Sequence, residues 1–173
     1  MSDRSLSMNL ISAAGPSAFA ELFEFTGLPV HPLLVHAAVV LTPLTAIALA
    51  LAALWPAARR RLGVGLPIAA LVVAVLVPIT VLAGESLADT IGRTPTVMRH
   101  ESLGLMLLPW AIAMLPASVL VWWIGRQTAK PARRPPWVRV AIAVVSVVIA
   151  VVTLVLVALT GDAGARAVWG GVA

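Results

Sequence analysis

The side chains in this 173-residue chain with the chemistry to ligate a metal or handle a proton are three histidines and a few carboxylates. His31 and His36 stand in His31-Pro32-Leu33-Leu34-Val35-His36, and His100 opens Arg99-His100-Glu101-Ser102-Leu103-Gly104. Neutral imidazole is an axial ligand of haem iron and also suits most divalent transition metals. Three readings follow. In the first, His36 and His100 ligate a b-type haem, His31 supports it, and Arg99, Arg166 or Arg93 meets the propionates. In the second, His36 and His100 join the carboxylates of Glu85 and Asp162 around a divalent transition metal. In the third, the histidines cap helices and pair with Glu101, Asp162 or Glu85 without binding anything.

Other chemistry is excluded by what is missing. There are no cysteines, so a disulfide framework, a zinc-thiolate site, an iron–sulfur cluster held within this chain and covalent c-type haem attachment are ruled out. His100-Glu101 begins like the metalloprotease signature, but no second histidine follows at the required spacing. Gly63-Val64-Gly65 lacks the further glycine of a dinucleotide loop, and no nucleophile elbow surrounds a serine. No residue is assigned a catalytic role, and an enzyme acting alone is not supported.

The elements that must position the histidines are membrane helices. Charged residues make up 11% of the chain and apolar residues 61%, where a soluble domain has about a quarter and just under half. Four apolar runs stand out at about 33–55, 64–83, 103–124 and 138–160, each long enough at ~1.5 Å per residue to cross the hydrocarbon core. Their only charged side chain is Arg139, at the edge of the fourth. The absence of charge at mid-membrane argues against ion transport. Residues 1–30 form an outer tail with no apolar core of a cleavable signal; within it Ser17–Phe25 reads as a short interfacial helix. Residues 31–173 form one domain. Pro43, Pro67, Pro78, Pro109 and Pro116 fall inside the first three spans, leaving the fourth as the straightest.

Loop charge sets the orientation. Arg59, Arg60 and Arg61 lie in the first connection, and Arg126, Lys130, Arg133, Arg134 and Arg139 in or beside the third, with no acid among them. All seven acids lie in the N-terminal tail, the second connection and the C-terminal segment. The positive-inside rule therefore places the first and third connections in the cytoplasm and both termini outside. It also accounts for the net charge of +5 without invoking nucleic acid. The fold expected is an all-α, up-down-up-down four-helix membrane bundle in a bacterial cytoplasmic membrane. In such a bundle the first and third helices run the same way and face each other diagonally, so His36 and His100 are expected to meet at the outer mouth. A short internal repeat aligns Ala83-Gly84-Glu85-Ser86-Leu87-Ala88 with Thr160-Gly161-Asp162-Ala163-Gly164-Ala165.

His31–His36 resembles a family of bacterial membrane proteins of unknown function whose first helix opens His-Pro-Leu-x-Val-His-Phe-Pro. His31, Pro32, Leu33, Val35 and His36 match that motif, with Ala37-Ala38 in place of Phe-Pro. His100 and Gly104 match the family's His-x-x-x-Gly. Gly161, Gly164 and Val168 match its Gly-His-x-Gly-x-x-x-Val-Tyr, with Asp162 replacing the histidine and Trp169 the tyrosine. The resemblance implies a four-span layout. Because some relatives are fused to Rieske-type iron–sulfur domains, it also implies electron transfer at the outer face with a membrane redox complex or iron–sulfur protein as partner. The function expected is a redox-associated membrane protein with an outward-facing site. The alternative is a non-catalytic accessory subunit of a larger, respiratory-type complex, for which Ala46, Ala48, Ala50 and Ala52 would supply close helix contacts.

Overall fold

A computed structural model of the chain describes residues 24–25, 28–29, 31–127 and 135–170. The two-residue strands β1 (Glu24–Phe25) and β2 (Leu28–Pro29) pair antiparallel ahead of the bundle. Five helices follow: α1 (His31–Leu54), α2 (Pro56–Leu62), α3 (Gly65–Ile91), α4 (Pro95–Gln127) and α5 (Pro136–Trp169). Helices α1, α3, α4 and α5 are long and apolar enough to cross a membrane. Of the expected interfacial helix, only Glu24–Phe25 lies among the described residues, and there the backbone is extended.

The start of α1 is bonded to the end of α3, and the start of α4 to the end of α5, so the four helices alternate up and down. Helices α1 and α4 each pack against both α3 and α5, and they also touch across the diagonal. The expected diagonal pair is therefore the observed one.

The helices run past the apolar limits expected from sequence. Helix α3 continues to Ile91, α4 begins at Pro95 and α5 extends to Trp169. At ~1.5 Å per residue the 34-residue α5 is roughly 50 Å long, well beyond the hydrocarbon core of ~30 Å. Hydropathy marks only the lipid-immersed part of a helix, whereas backbone hydrogen bonding carries on into the polar zone. The second connection shrinks accordingly to three residues. Gly92 ends α3 at φ 92°, a conformation that favours glycine. The Thr94 hydroxyl accepts the Val97 amide at 3.4 Å to start the next helix, with Pro95 at its first position. Arg93 bridges the ends, donating to Asp89 on α3 at 2.9 Å and to both oxygens of Glu101 on α4 at 2.8 and 2.7 Å. Hydrogen bonds donated to Glu101 and Asp89 hold the Arg93 guanidinium above its usual pKa range.

Inside and outside are reversed relative to a soluble bundle. The core is lined by small side chains, with Ala46, Ala52, Ala70, Ala111 and Ala150 fully buried, while Leu44, Leu51, Val75, Leu105 and Val151 are exposed. Lipid solvates the large apolar residues as well as the core would, so close backbone packing through small residues holds the helices together. Ala46 and Ala52 are buried and Ala48 and Ala50 pack against the same core, so these alanines serve contacts within this chain. Leu49, Val73 and Met114 are the larger side chains at the centre. Replacing Leu49 by Ala is expected to destabilise the bundle by about 2–5 kcal/mol. Leu51→Ala, at a position 47% exposed on the same helix, should change stability far less. Unfolding in mixed micelles by added denaturing detergent, followed by circular dichroism, compares the two.

Candidate cofactor site at the imidazole pair

His31 is the first residue of α1 and its ring crosses to α3, where Nδ1 lies 3.0 Å from the carbonyl oxygen of Thr80. His100, in the second turn of α4, repeats the arrangement on α5, with Nδ1 2.9 Å from the carbonyl oxygen of Thr160. A carbonyl can only accept, so Nδ1 carries the hydrogen in each ring. In the neutral form Nε2 is then left with a bare lone pair. An imidazole whose Nδ1–H is anchored to a backbone carbonyl is the usual form of a metal-ligating histidine.

Glycines make these bonds reachable. On a helix the side chain at i+4 leans back over the carbonyl of residue i and shields it from its surroundings. Gly84 stands at that position relative to Thr80, and Gly164 relative to Thr160. An added Cβ at Gly84 would lie 2.9 Å from Cε1 of His31, and one at Gly164 would lie 3.0 Å from Cε1 of His100. Each ring thus occupies the volume that any other residue would fill. Both threonine hydroxyls turn back onto their own helices, Thr80 to Leu76 and Thr160 to Leu156, and stay clear of the imidazoles.

The two rings meet across the α1–α4 diagonal with centroids 6.3 Å apart and planes at 80°. The expected encounter of His36 with His100 is thereby corrected to one of His31 with His100. Five residues along an α-helix turn the side chain by roughly 140°, so when His31 faces the core His36 faces away. His36 is exposed, and its Nδ1–H donates back to the Pro32 carbonyl of its own helix.

The four-ligand set of His36, His100, Glu85 and Asp162 does not assemble. Among the described residues no group of three or more histidines, aspartates and glutamates converges. Glu85 is half-buried immediately after Gly84. Asp162 is exposed and paired with Arg166 one turn on, at 2.9 Å. Arg99, exposed at the head of α4, lies within electrostatic reach of Asp162.

Thr80, Gly84, Thr160 and Gly164 were not foreseen as part of the site. Their signal is a Thr-x-x-x-Gly pattern near the end of both even spans, each answered by a histidine at the head of the preceding span. The internal repeat is real in this geometry, but its register differs from the one read in sequence: Ala83-Gly84 corresponds to Ala163-Gly164 and Thr80 to Thr160. In that register Asp162 stands where α3 has Leu82, so it is no counterpart of Glu85. Several buried positions agree in this register, Ala70 with Ala150, Val73 with Thr153 and Ala83 with Ala163, and the match ends past the imidazoles, where Ala88 is buried and Val168 exposed.

Gly84→Ala and Gly164→Ala are each expected to push the facing imidazole off its carbonyl and to cost about 1–3 kcal/mol of stability. Loss of the Nδ1–H tautomer signal in ¹⁵N spectra of labelled histidine would report the displacement. Gly161→Ala, where an added Cβ meets nothing within 4 Å, serves as the control and should leave both rings in place.

No curated protein and no solved structure matches the chain. A family model does, over residues 27–172, which takes in all four spans and the imidazole pair. The chain is a member of the family described as Predicted membrane protein (DUF2231).

Proposed function

We propose that this integral membrane protein binds one haem b between His31 and His100 and passes single electrons at the end of the bundle where they lie. The supporting observation is the separation of the imidazoles. A metal ion bonded to two imidazole nitrogens at about 2.0–2.1 Å holds the ring centroids roughly 6 Å apart. The observed separation is 6.3 Å.

The number of ligands favours haem over a bare ion. A zinc-like ion takes four ligands, and two imidazoles without a converging carboxylate leave it half-coordinated. Haem iron needs only two axial ligands from the protein, and bound haem supplies reversible one-electron chemistry. The Nε2 atoms of His31 and His100 would hold the iron, and the carbonyls of Thr80 and Thr160, which accept from Nδ1–H, would fix the tautomers and raise ligand basicity. Arg99, exposed at the head of α4, would offer a cation to a propionate. His36 has no part in holding the group in this reading.

The positive-inside rule supports placing the imidazole end on the outer side of a bacterial cytoplasmic membrane, with both termini outside. An electron partner would dock there, and an iron–sulfur protein is the kind that the family resemblance suggests. Alkaline phosphatase fused after Trp169 should be active, and the same reporter inserted beside Arg61 should be inactive. The opposite pattern would invert the orientation.

An absorption spectrum of the detergent-purified protein, oxidised and then reduced with dithionite, tests the cofactor. A Soret band with sharpened reduced bands is expected, lost in His31→Ala and in His100→Ala and retained in His36→Ala. Elemental analysis showing another metal without haem would replace haem by a bare ion. A colourless, metal-free protein from cells supplied with haem would sink both and leave the imidazoles as helix ties in an accessory subunit.

A further inference from the structure

The opposite end of the bundle carries a second feature that the imidazole site does not use. A cavity of about 290 Å³ opens between α2 and the end of α4, lined by Arg59, Arg60, Gly63, Trp122, Gly125 and Arg126. Three of its six lining residues are arginines. The sequence has no acid between Glu24 and Glu85 or between Glu101 and Asp162, so among the described residues these charges have no carboxylate side chain at their own end of the bundle.

The arginines differ in their freedom. Arg59 is half-buried, and it donates through Nε to the Ala52 carbonyl at 2.8 Å and through Nη2 to the Ala53 carbonyl at 2.9 Å. It thereby caps the last turn of α1, and its stem lies over Gly125, where an added Cβ would be 2.9 Å from Cδ. Its charge is consequently fixed in place. Burial lowers its pKa, and the neighbouring Arg139 lowers it further, a sign that positive charge is crowded here. Arg60 is exposed, and the Arg126 guanidinium stacks over Trp122, its carbon 5.0 Å from the ring centroid. Stacking leaves the edge of the guanidinium, with its N–H fork, directed outward.

We propose that this cavity binds a phosphate group, with Arg60 and Arg126 donating to its oxygens and Arg59 supplying a fixed charge behind them. Arginine forks match phosphate oxygens in geometry as well as charge. The source the surroundings favour is the headgroup of an anionic phospholipid. Trp55, Trp123 and Trp137 are exposed at this end, and tryptophan rings in membrane proteins gather at headgroup level. A basic pocket between spans at that depth is where acidic headgroups settle. A free phosphate compound shares the chemistry, and the experiment separates the two.

The full chain, delipidated in neutral detergent, is titrated with phosphatidylglycerol, with phosphatidylcholine, and with sodium phosphate against sodium chloride at equal ionic strength. Melting temperature is the readout. Phosphatidylglycerol is expected to raise it by several degrees and phosphatidylcholine to leave it unchanged. The Arg60→Gln/Arg126→Gln double variant should bind phosphatidylglycerol roughly tenfold or more weakly. Arg61→Gln, which removes a charge on the same helix but outside the cavity, should respond like the parent protein. Both altered residues of the double variant are exposed, so it should fold, and its unliganded melting curve verifies that. A shift with inorganic phosphate alone, lost in the double variant, would keep the phosphate site and assign it to a soluble ligand. Equal responses to phosphatidylglycerol and phosphatidylcholine with none to phosphate, an unaltered double variant, or an equal loss in Arg61→Gln would overturn the proposal.

Discussion

An imidazole N–H reaching a backbone carbonyl on the adjacent helix is the contact around which this bundle is organised, and it occurs twice. Within a bilayer nearly every carbonyl is already used by its own helix and shielded by the side chain one turn later. An outside donor can approach only where that shield is missing. Gly84 and Gly164 remove it, and each empty Cβ position is filled by a histidine ring. A single substitution pattern thus brings two helices close, fixes a tautomer and leaves Nε2 without a hydrogen in the neutral ring. Because α1 and α4 run the same way, the two rings come to one level, their centroids 6.3 Å apart and their planes at 80°.

The charges divide along the bundle axis. Glu85, Asp89, Glu101 and Asp162 share the histidine end, where Arg93 and Arg166 engage three of them. The pairs with Asp89 and Asp162 are solvent-exposed and add little stability individually. Their role is geometric, since Arg93 closes a three-residue turn that has to reverse the chain between two long helices. At the other end the arginines have no acids to pair with, so they turn to other acceptors. Arg59 finds one in the terminal carbonyls of α1, where cations are favoured by the helix dipole as well as by hydrogen bonding.

The two hairpins, α1–α3 and α4–α5, are versions of one unit, related by an approximate two-fold axis along the bundle. Such a relation makes a site on the axis symmetric without requiring two chains. It also accounts for buried alanines at two matching heights, Ala70 with Ala150 and Ala83 with Ala163. The units have diverged away from the axis: α2, with its three arginines, follows α1 in the first, and no equivalent lies between α4 and α5 among the described residues.

What the sequence by itself determined is the part governed by composition and length: the membrane class, the number of spans, their alternation and the separation of acids from bases. Each depends on solvation free energy summed over some twenty residues, so individual errors average out. That histidines gather at one end of the bundle was also legible, because the chain has only three and all flank span boundaries. Which histidine packs into the bundle was decided by tertiary structure. His31 and His36 are equivalent in type and flank the same helix start, and only the packing of α1 onto Gly84 turns one ring inward and the other out. The repeat register and the true helix ends were likewise left open by hydropathy. An apolar face toward lipid and an apolar face toward a neighbouring helix look alike in sequence, and a helix that leaves the bilayer loses its hydropathy signal while keeping its hydrogen bonds.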